Sequence, residues 1–171
     1  MKRTIVALLC AILLIGAVVA ASGQDGLLGR KEAAFSVAWA DVGDTRTTMA
    51  NVRCGTFFTP QVEALIGVTY NKASDGTSET EWGASLGAAW HFVPATASST
   101  VPYIGAGFNY LKVSDGVSDS DTSYGIFGGA KFFLGGDYTT SKSAVFVQFD
   151  WVNDVFGDNM KTLSVGISTW F

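Results

Sequence analysis

The residues from Glu81 to Phe92 alternate without a break. Trp82, Ala84, Leu86, Ala88, Trp90 and Phe92 take one side of the count, and Glu81, Gly83, Ser85, Gly87, Ala89 and His91 take the other. A period of two belongs to a β-strand whose two faces meet different surroundings; a helix repeats every 3.6 residues. The same pattern returns along the chain. Glu32–Val42 sets Phe35, Val37 and Trp39 against Ala34, Ser36, Ala38 and Ala40, and Val62–Asn71 sets Val62, Ala64, Ile66, Val68 and Tyr70 against Glu63, Leu65, Gly67 and Thr69. Pro102–Val113, Thr122–Phe133, Ser143–Asn153 and Met160–Phe171 repeat it, and Thr48–Phe58 is the least regular case. About eight strands of about ten residues, an even number with no helical period between them, predict an all-β, up-and-down antiparallel barrel.

Which face is apolar in space decides between a soluble and a membrane barrel. The chain is 48% hydrophobic and 15% charged, against a usual charged share of about 25%. Beyond residue 20 no apolar run reaches helix length, so the excess is spread over alternate strand positions, as in a transmembrane barrel. A soluble lipocalin-like ligand-binding barrel is the rival, with its apolar face inward. Three features favour the inverted arrangement. The non-apolar face is rich in Gly, Ala, Ser and Thr, which suit a narrow interior and would solubilise poorly. Aromatics stand near strand ends on the apolar face (Trp39, Phe58, Tyr70, Trp82, Phe92, Tyr110, Tyr124, Phe132, Trp151 and Phe171), as two interfacial girdles would require. No disulfide is available to a chain that carries an export signal.

That signal is the start of the chain. Lys2 and Arg3 precede an apolar stretch from Ile5 to Ala20, followed by Ala20-Ala21-Ser22-Gly23. The order is that of a cleaved signal peptide, assigned to residues 1–23, with the barrel domain over 24–171. A retained anchor is the alternative, disfavoured by the small residues at the end of the stretch. Leu9 before Cys10 argues against a lipobox. Loss of Lys2 and Arg3 takes the formal charge from −4 to −6, so nucleic acid is not an expected partner. Cys54 alone remains, expected to face lipid as a small apolar side chain.

The connections fall into two classes. Polar, acidic loops follow strands one, three, five and seven, at 43–46, 73–78, 114–121 and 153–159. Thr59-Pro60-Gln61, Pro94–Val101 and Gly135–Lys142 follow strands two, four and six. With both termini inside, the first set faces outward and gives an acidic rim of Asp44, Asp75, Glu79, Asp115, Asp119, Asp121, Asp154 and Asp158. The run Asp115–Asp121 lacks the spacing of a calcium loop and reads as a solvated acidic loop. No metal and no cofactor is expected, though the rim suggests divalent cations bridging lipopolysaccharide.

Parity places Arg53, Glu63, Glu81, Lys131 and Asp150 on the inward face, with His91 a further candidate. An eight-stranded barrel is only wide enough for side chains to fill. Charges of mixed sign there are expected to form ion pairs plugging the lumen. Catalysis is not expected. His91 is the one histidine, and Val93 stands where a deacylase pattern of His with Ser two residues later would need the serine.

Gly55-Thr56-Phe57-Phe58-Thr59-Pro60, Val101-Pro102-Tyr103-Ile104-Gly105-Ala106-Gly107 and Gly129-Ala130-Lys131-Phe132-Phe133-Leu134 resemble the small outer-membrane β-barrel superfamily, with its opacity-type and OmpA/OmpX-type barrels. The final strand, with Leu163, Val165, Ile167 and the terminal Phe171, is similar to that family's C-terminal assembly signal, although Thr169 is smaller than the usual residue. The resemblance implies a monomer in the outer membrane, in contact with the lipid bilayer and lipopolysaccharide and inserted by the barrel-insertion machinery. It implies a structural or surface-interaction role, or alternatively a narrow porin-like channel for small or hydrophobic molecules.

Overall fold

The computed structural model describes residues 27–42, 45–72, 80–114, 118–155 and 158–171. The expected signal peptide lies outside them. Eight strands follow in chain order: β1 (Lys31–Val42), β2 (Thr45–Phe57), β3 (Val62–Lys72), β4 (Thr80–His91), β5 (Thr100–Ser114), β6 (Ser118–Phe133), β7 (Ser143–Val155) and β8 (Asp158–Trp170). Each pairs antiparallel with its sequence neighbour, and β8 returns to β1 to close the barrel. Closure leaves no strand edge, so every ladder has a partner.

The pleat sorts the residues as the alternation requires. Along β8, Thr162, Ser164, Gly166, Ser168 and Trp170 are buried while Leu163, Val165 and Ile167 are exposed. Outward across the wall stand Phe35, Val52, Ile66, Leu86, Ile104, Ile126 and Phe149, all large and exposed. A patch of that extent would drive association in water, and an apolar outward band with a polar interior is the pattern of a transmembrane barrel. The apolar-inside arrangement of a lipocalin-like barrel is therefore not this one. The girdle aromatics lie on the same outer face, among them Trp39, Phe58, Tyr70, Trp82, Phe92, Tyr110, Phe132 and Phe171, and Cys54 is exposed there too.

Two expectations need correction. The strands run further outward than the alternation does: Thr45, Arg46, Ser118–Asp121 and Asp158–Asn159 belong to strands, although their polarity suggested loops. Beyond the apolar belt both faces can be polar, so the alternation fades while the backbone ladder continues. Asp44, Asp75, Glu79 and Asp115 of the acidic rim lie outside the described residues, as do the side chains of Asp119 and Asp154. At its outer end β7 carries a bulge between Val152 and Val155. The extra residue shifts parity, so both valines are buried in the lumen.

The interior is also not made of small residues alone. Phe57, Tyr103, Phe133, Phe146 and Trp170 are buried. Glycines make room for two of them: a Cβ on Gly166 would overlap the ring of Phe146, and one on Gly129 would crowd the Tyr103 hydroxyl. At the inner end Leu27, Phe57, Val101, Phe133, Tyr138, Ala144 and Trp170 form one cluster. Arg30 ties the N-terminal segment across it, donating to the Tyr138 carbonyl at 3.0 Å and to that of Thr139. The β6–β7 turn is fixed by Asp137, which accepts from the hydroxyl and backbone N–H of Thr139 and from Thr140. Those bonds hold its carboxyl below the usual range. Phe171 extends β8 by exchanging two backbone hydrogen bonds with Lys31, at 3.1 and 3.2 Å.

Candidate functional site in the barrel lumen

Seven of the eight strands each send at least one polar side chain to a single cluster at and above the inner end of the lumen. Lys131 on β6 is its centre. Its Nζ donates to Glu32 Oε2 on β1 and, at 3.3 Å, to Glu63 Oε2 on β3. The same Glu63 oxygen lies 2.9 Å from His91 Nε2 on β4. Glu32, Glu63, His91 and Lys131 are each 1% exposed. A second group sits above. Arg53 on β2 donates through Nη1 to Gln148 Oε1 at 2.8 Å, with its Nη2 3.8 Å from Glu32 Oε1. Tyr103 on β5 donates to the same Gln148 oxygen at 2.8 Å, and Gln148 Nε2 donates to Asp150 at 2.7 Å.

Aromatic rings seal the charges from the sides. The Lys131 ammonium lies 5.4–5.7 Å from the ring centroids of Trp170, Phe57 and Tyr103, and the Arg53 guanidinium lies 4.9 Å from that of Phe146. A cation held over ring faces in a dry site gains where it would otherwise lose hydration. His91 is stacked on Tyr103 at 5.3 Å and tilted against Phe57 at 4.9 Å. A Cβ on Gly55 would overlap the Glu63 carboxylate, so this glycine, diagonal to Glu63 on β2, makes room for it.

Outward of this cluster the lumen changes character. A cavity of about 120 Å³ is lined by the polar side chains of Ser36, Asn51, Thr69, Ser85, Asn109 and Thr162, with Arg53, Gln148 and Asp150 at its floor, and by apolar ones that include Met49, Leu65, Leu111, Phe127, Phe146, Val152 and Met160. Asn51 Oδ1, Arg53 Nε and Thr162 Oγ1 are buried and make no hydrogen bond to protein. Cavities with several polar wall groups hold water readily. On its apolar side Met49 packs with Ala38 and Ala40, and Leu111 packs with Val152 and Val155; Met160 touches both groups.

Arg53, Glu63 and Lys131 thus meet in one network, and Asp150 joins it through Gln148. The side chain of Glu81 lies outside the described residues; its backbone pairs with Asn71 and Val113, toward the outer end. Glu32 escaped the sequence analysis, although it shares the parity of Ala34 and Ser36. So did Tyr103, which shares the parity of Gly105 and Gly107. Leu163, Val165, Ile167 and Phe171 form an outward row at 48, 41, 62 and 76% exposure.

The course of the chain agrees with three solved structures. The N-terminal β-barrel domain of Pseudomonas aeruginosa OprF superposes with a TM-score of 0.63 at 18% identity, covering 84% of this chain and 98% of that one. The fold is that of the small outer-membrane β-barrels. Neisserial surface protein A matches with a TM-score of 0.64 at 18% identity over 83% of this chain and 96% of its own. The outer membrane enzyme PagL matches with a TM-score of 0.50 at 16% identity over 80% and 98%. No family model and no curated protein sequence matches the chain.

Proposed function

We propose that this chain is an integral protein of the bacterial outer membrane, exported by a cleaved signal peptide, with a structural or surface-interaction role and no enzymatic one. The observation that carries the closed-lumen part is the Glu32–Lys131–Glu63–His91 cluster, which spans the barrel beneath the cavity and above a packed apolar end. Such a plug stiffens the wall and leaves the outer strand ends as the surface for contact. His91 is held by Glu63 and covered by two rings, away from any substrate. The fold itself hosts an enzyme as well as non-enzymes, so the argument rests on this site.

Membrane fractionation with heat-modifiable gel mobility tests the membrane assignment, and planar-bilayer conductance tests the plug. The wild-type barrel should show no steady conductance. Lys131→Ala and Arg53→Ala should weaken the barrel; if they leave its stability intact and only alter conductance, the polar cavity is part of a narrow channel and the second reading wins. Deleting Phe171 should slow insertion more than it weakens a barrel already folded, measured as folded fraction in vivo against unfolding of purified protein. Normal insertion of the shortened chain would remove the role assigned to Leu163, Val165, Ile167 and Phe171 as an assembly signal.

A further inference from the structure

Four residues ahead of β1 make a turn at the inner mouth. The Arg30 N–H donates to the Leu27 carbonyl at 3.1 Å, and Gly29 takes a φ of 74° between them. That left-handed conformation favours glycine. Space is not the reason, since a Cβ there would meet nothing within 4 Å. The turn folds Leu27 back under the barrel, where it is 1% exposed. There it shares one apolar cluster with Phe57 of β2, Val101 of β5, Phe133 of β6, Ala144 of β7 and Trp170 of β8. One leucine outside the sheet thus joins side chains from five of the eight strands.

The turn is held from two sides. The Gly29 N–H donates to the Phe57 carbonyl at 3.0 Å, and the Phe57 N–H donates to the Arg30 carbonyl at 3.1 Å. On the other side the Arg30 guanidinium reaches the β6–β7 connection. It donates to the carbonyls of Tyr138 at 3.0 Å and Ser141 at 3.5 Å, and to that of Thr139. That connection is fixed in turn to the one between β4 and β5. Tyr138 donates from its hydroxyl to the Pro94 carbonyl and from its N–H to the Ser98 carbonyl, both at 3.1 Å. Leu27–Arg30 therefore closes against a frame whose own bonds do not involve it. Two rings of the shared cluster, Phe57 and Trp170, face the Lys131 ammonium.

We propose that Leu27–Arg30 is a lid on the inner mouth, turned at Gly29 and latched by Arg30, whose opening lets water into the apolar layer that keeps Lys131 dry. Nothing in it depends on the role of the outer surface. The lid can move while the barrel stays closed. Lys31 and the residues after it remain paired with β2 and β8 when it swings away. Its opening exposes one leucine and breaks a few hydrogen bonds, whereas parting two strands breaks a whole ladder. Local opening of this kind lies well below global unfolding in free energy.

Water access tests the lid. Ala144 is fully buried in the lid's cluster, and Ala40 is fully buried in the outer part. With Cys54→Ser as background, Ala144→Cys and Ala40→Cys are introduced singly into the mature chain. Each is folded in phosphatidylcholine nanodiscs, which leave both mouths open to water, and treated with a water-soluble maleimide. Ala144→Cys should react slowly behind the intact lid. Adding Leu27→Ser should speed it about tenfold or more, because the lid loses its buried apolar anchor. Leu27→Met should keep the slow rate, and Leu27→Ser should leave Ala40→Cys unchanged. Equal rates for Ala144→Cys with and without Leu27→Ser overturn the lid. So does an equal gain at both positions, which would mean that the whole barrel had loosened. Hydrogen exchange gives a second reading in a chain that keeps Ala144. The Gly29 and Phe57 amides are held by the lid's own bonds, so Arg30→Gln should speed their exchange about tenfold while the amides of β4 keep theirs. Unchanged exchange at Gly29 and Phe57 overturns the lid.

Discussion

The inner and outer parts of the lumen are made by the same eight strands yet solve the problem of a narrow interior differently. The inner part is packed solid: Lys131 between Glu32 and Glu63, His91 on Glu63, rings on every side. The outer part is loosely filled around a cavity of about 120 Å³; buried polar atoms without a protein hydrogen bond occur in both parts, Glu32 Oε1, Glu63 Oε1 and His91 Nδ1 in the inner and Asn51 Oδ1 and Thr162 Oγ1 in the outer. The difference follows from what each can exchange with water. Buried charges with little access to solvent must satisfy one another. Hydroxyls and amides beside a polar cavity have a weaker requirement. Stability should therefore be concentrated in the inner part and tolerance in the outer.

The largest effect is expected at Lys131. Lys131→Ala leaves two carboxylates buried together without their shared cation, which should cost about 3–5 kcal/mol. Urea unfolding of the barrel in lipid vesicles, followed by heat-shifted gel mobility, measures it. Replacing the set together (Glu32→Leu, Lys131→Met and Glu63→Leu) removes the charges with their demands and should leave stability near wild type or above it. A triple variant as weak as Lys131→Ala would mean that shape, not charge pairing, holds the inner part. Gly55→Ala should follow, at about 1–3 kcal/mol, because the new methyl overlaps a Glu63 carboxylate already held by Lys131 and His91. A cost near zero would show that Glu63 has room to shift, and the inner part would be less tightly specified than its contacts imply.

The sequence carried these two parts unequally. The barrel was legible because alternation is the direct record of a wall with an apolar outer face and a polar inner one, and Trp82 to Phe92 writes it without a break. The polar strand ends were not, since Ser118–Asp121 join the ladder through their backbones opposite Leu111–Ser114 without the apolar alternation that marks the rest of β6. Parity gave the face of Arg53, Glu63, Lys131 and Asp150 but not their height or partners. Lys131 and Glu32 are 99 residues apart, and they meet because strand tilt and stagger bring inner ends of β1 and β6 to one level across the lumen. Nothing in local pattern encodes that meeting. Tyr103 was missed for a related reason, since a large ring on the small-residue face becomes reasonable only once Gly129 and Gln148 are known to stand beside it.

The smallest effect is expected in the outer part, at Thr162. Its side chain is buried on β8, yet Oγ1 makes no hydrogen bond to protein and the residue lines the cavity. Valine has the same branched shape, so Thr162→Val removes a hydroxyl without opening a hole or changing strand preference. A hydroxyl solvated by the cavity contributes little net stability, and losing it strands no partner. The change should fall within about 0.5 kcal/mol of wild type, measured in the same vesicle unfolding assay. A loss above about 1 kcal/mol would mean that the hydroxyl is tied into an ordered water network with Asn51 and Arg53. The outer part would then be specified by its solvent as tightly as the inner part is by its charges.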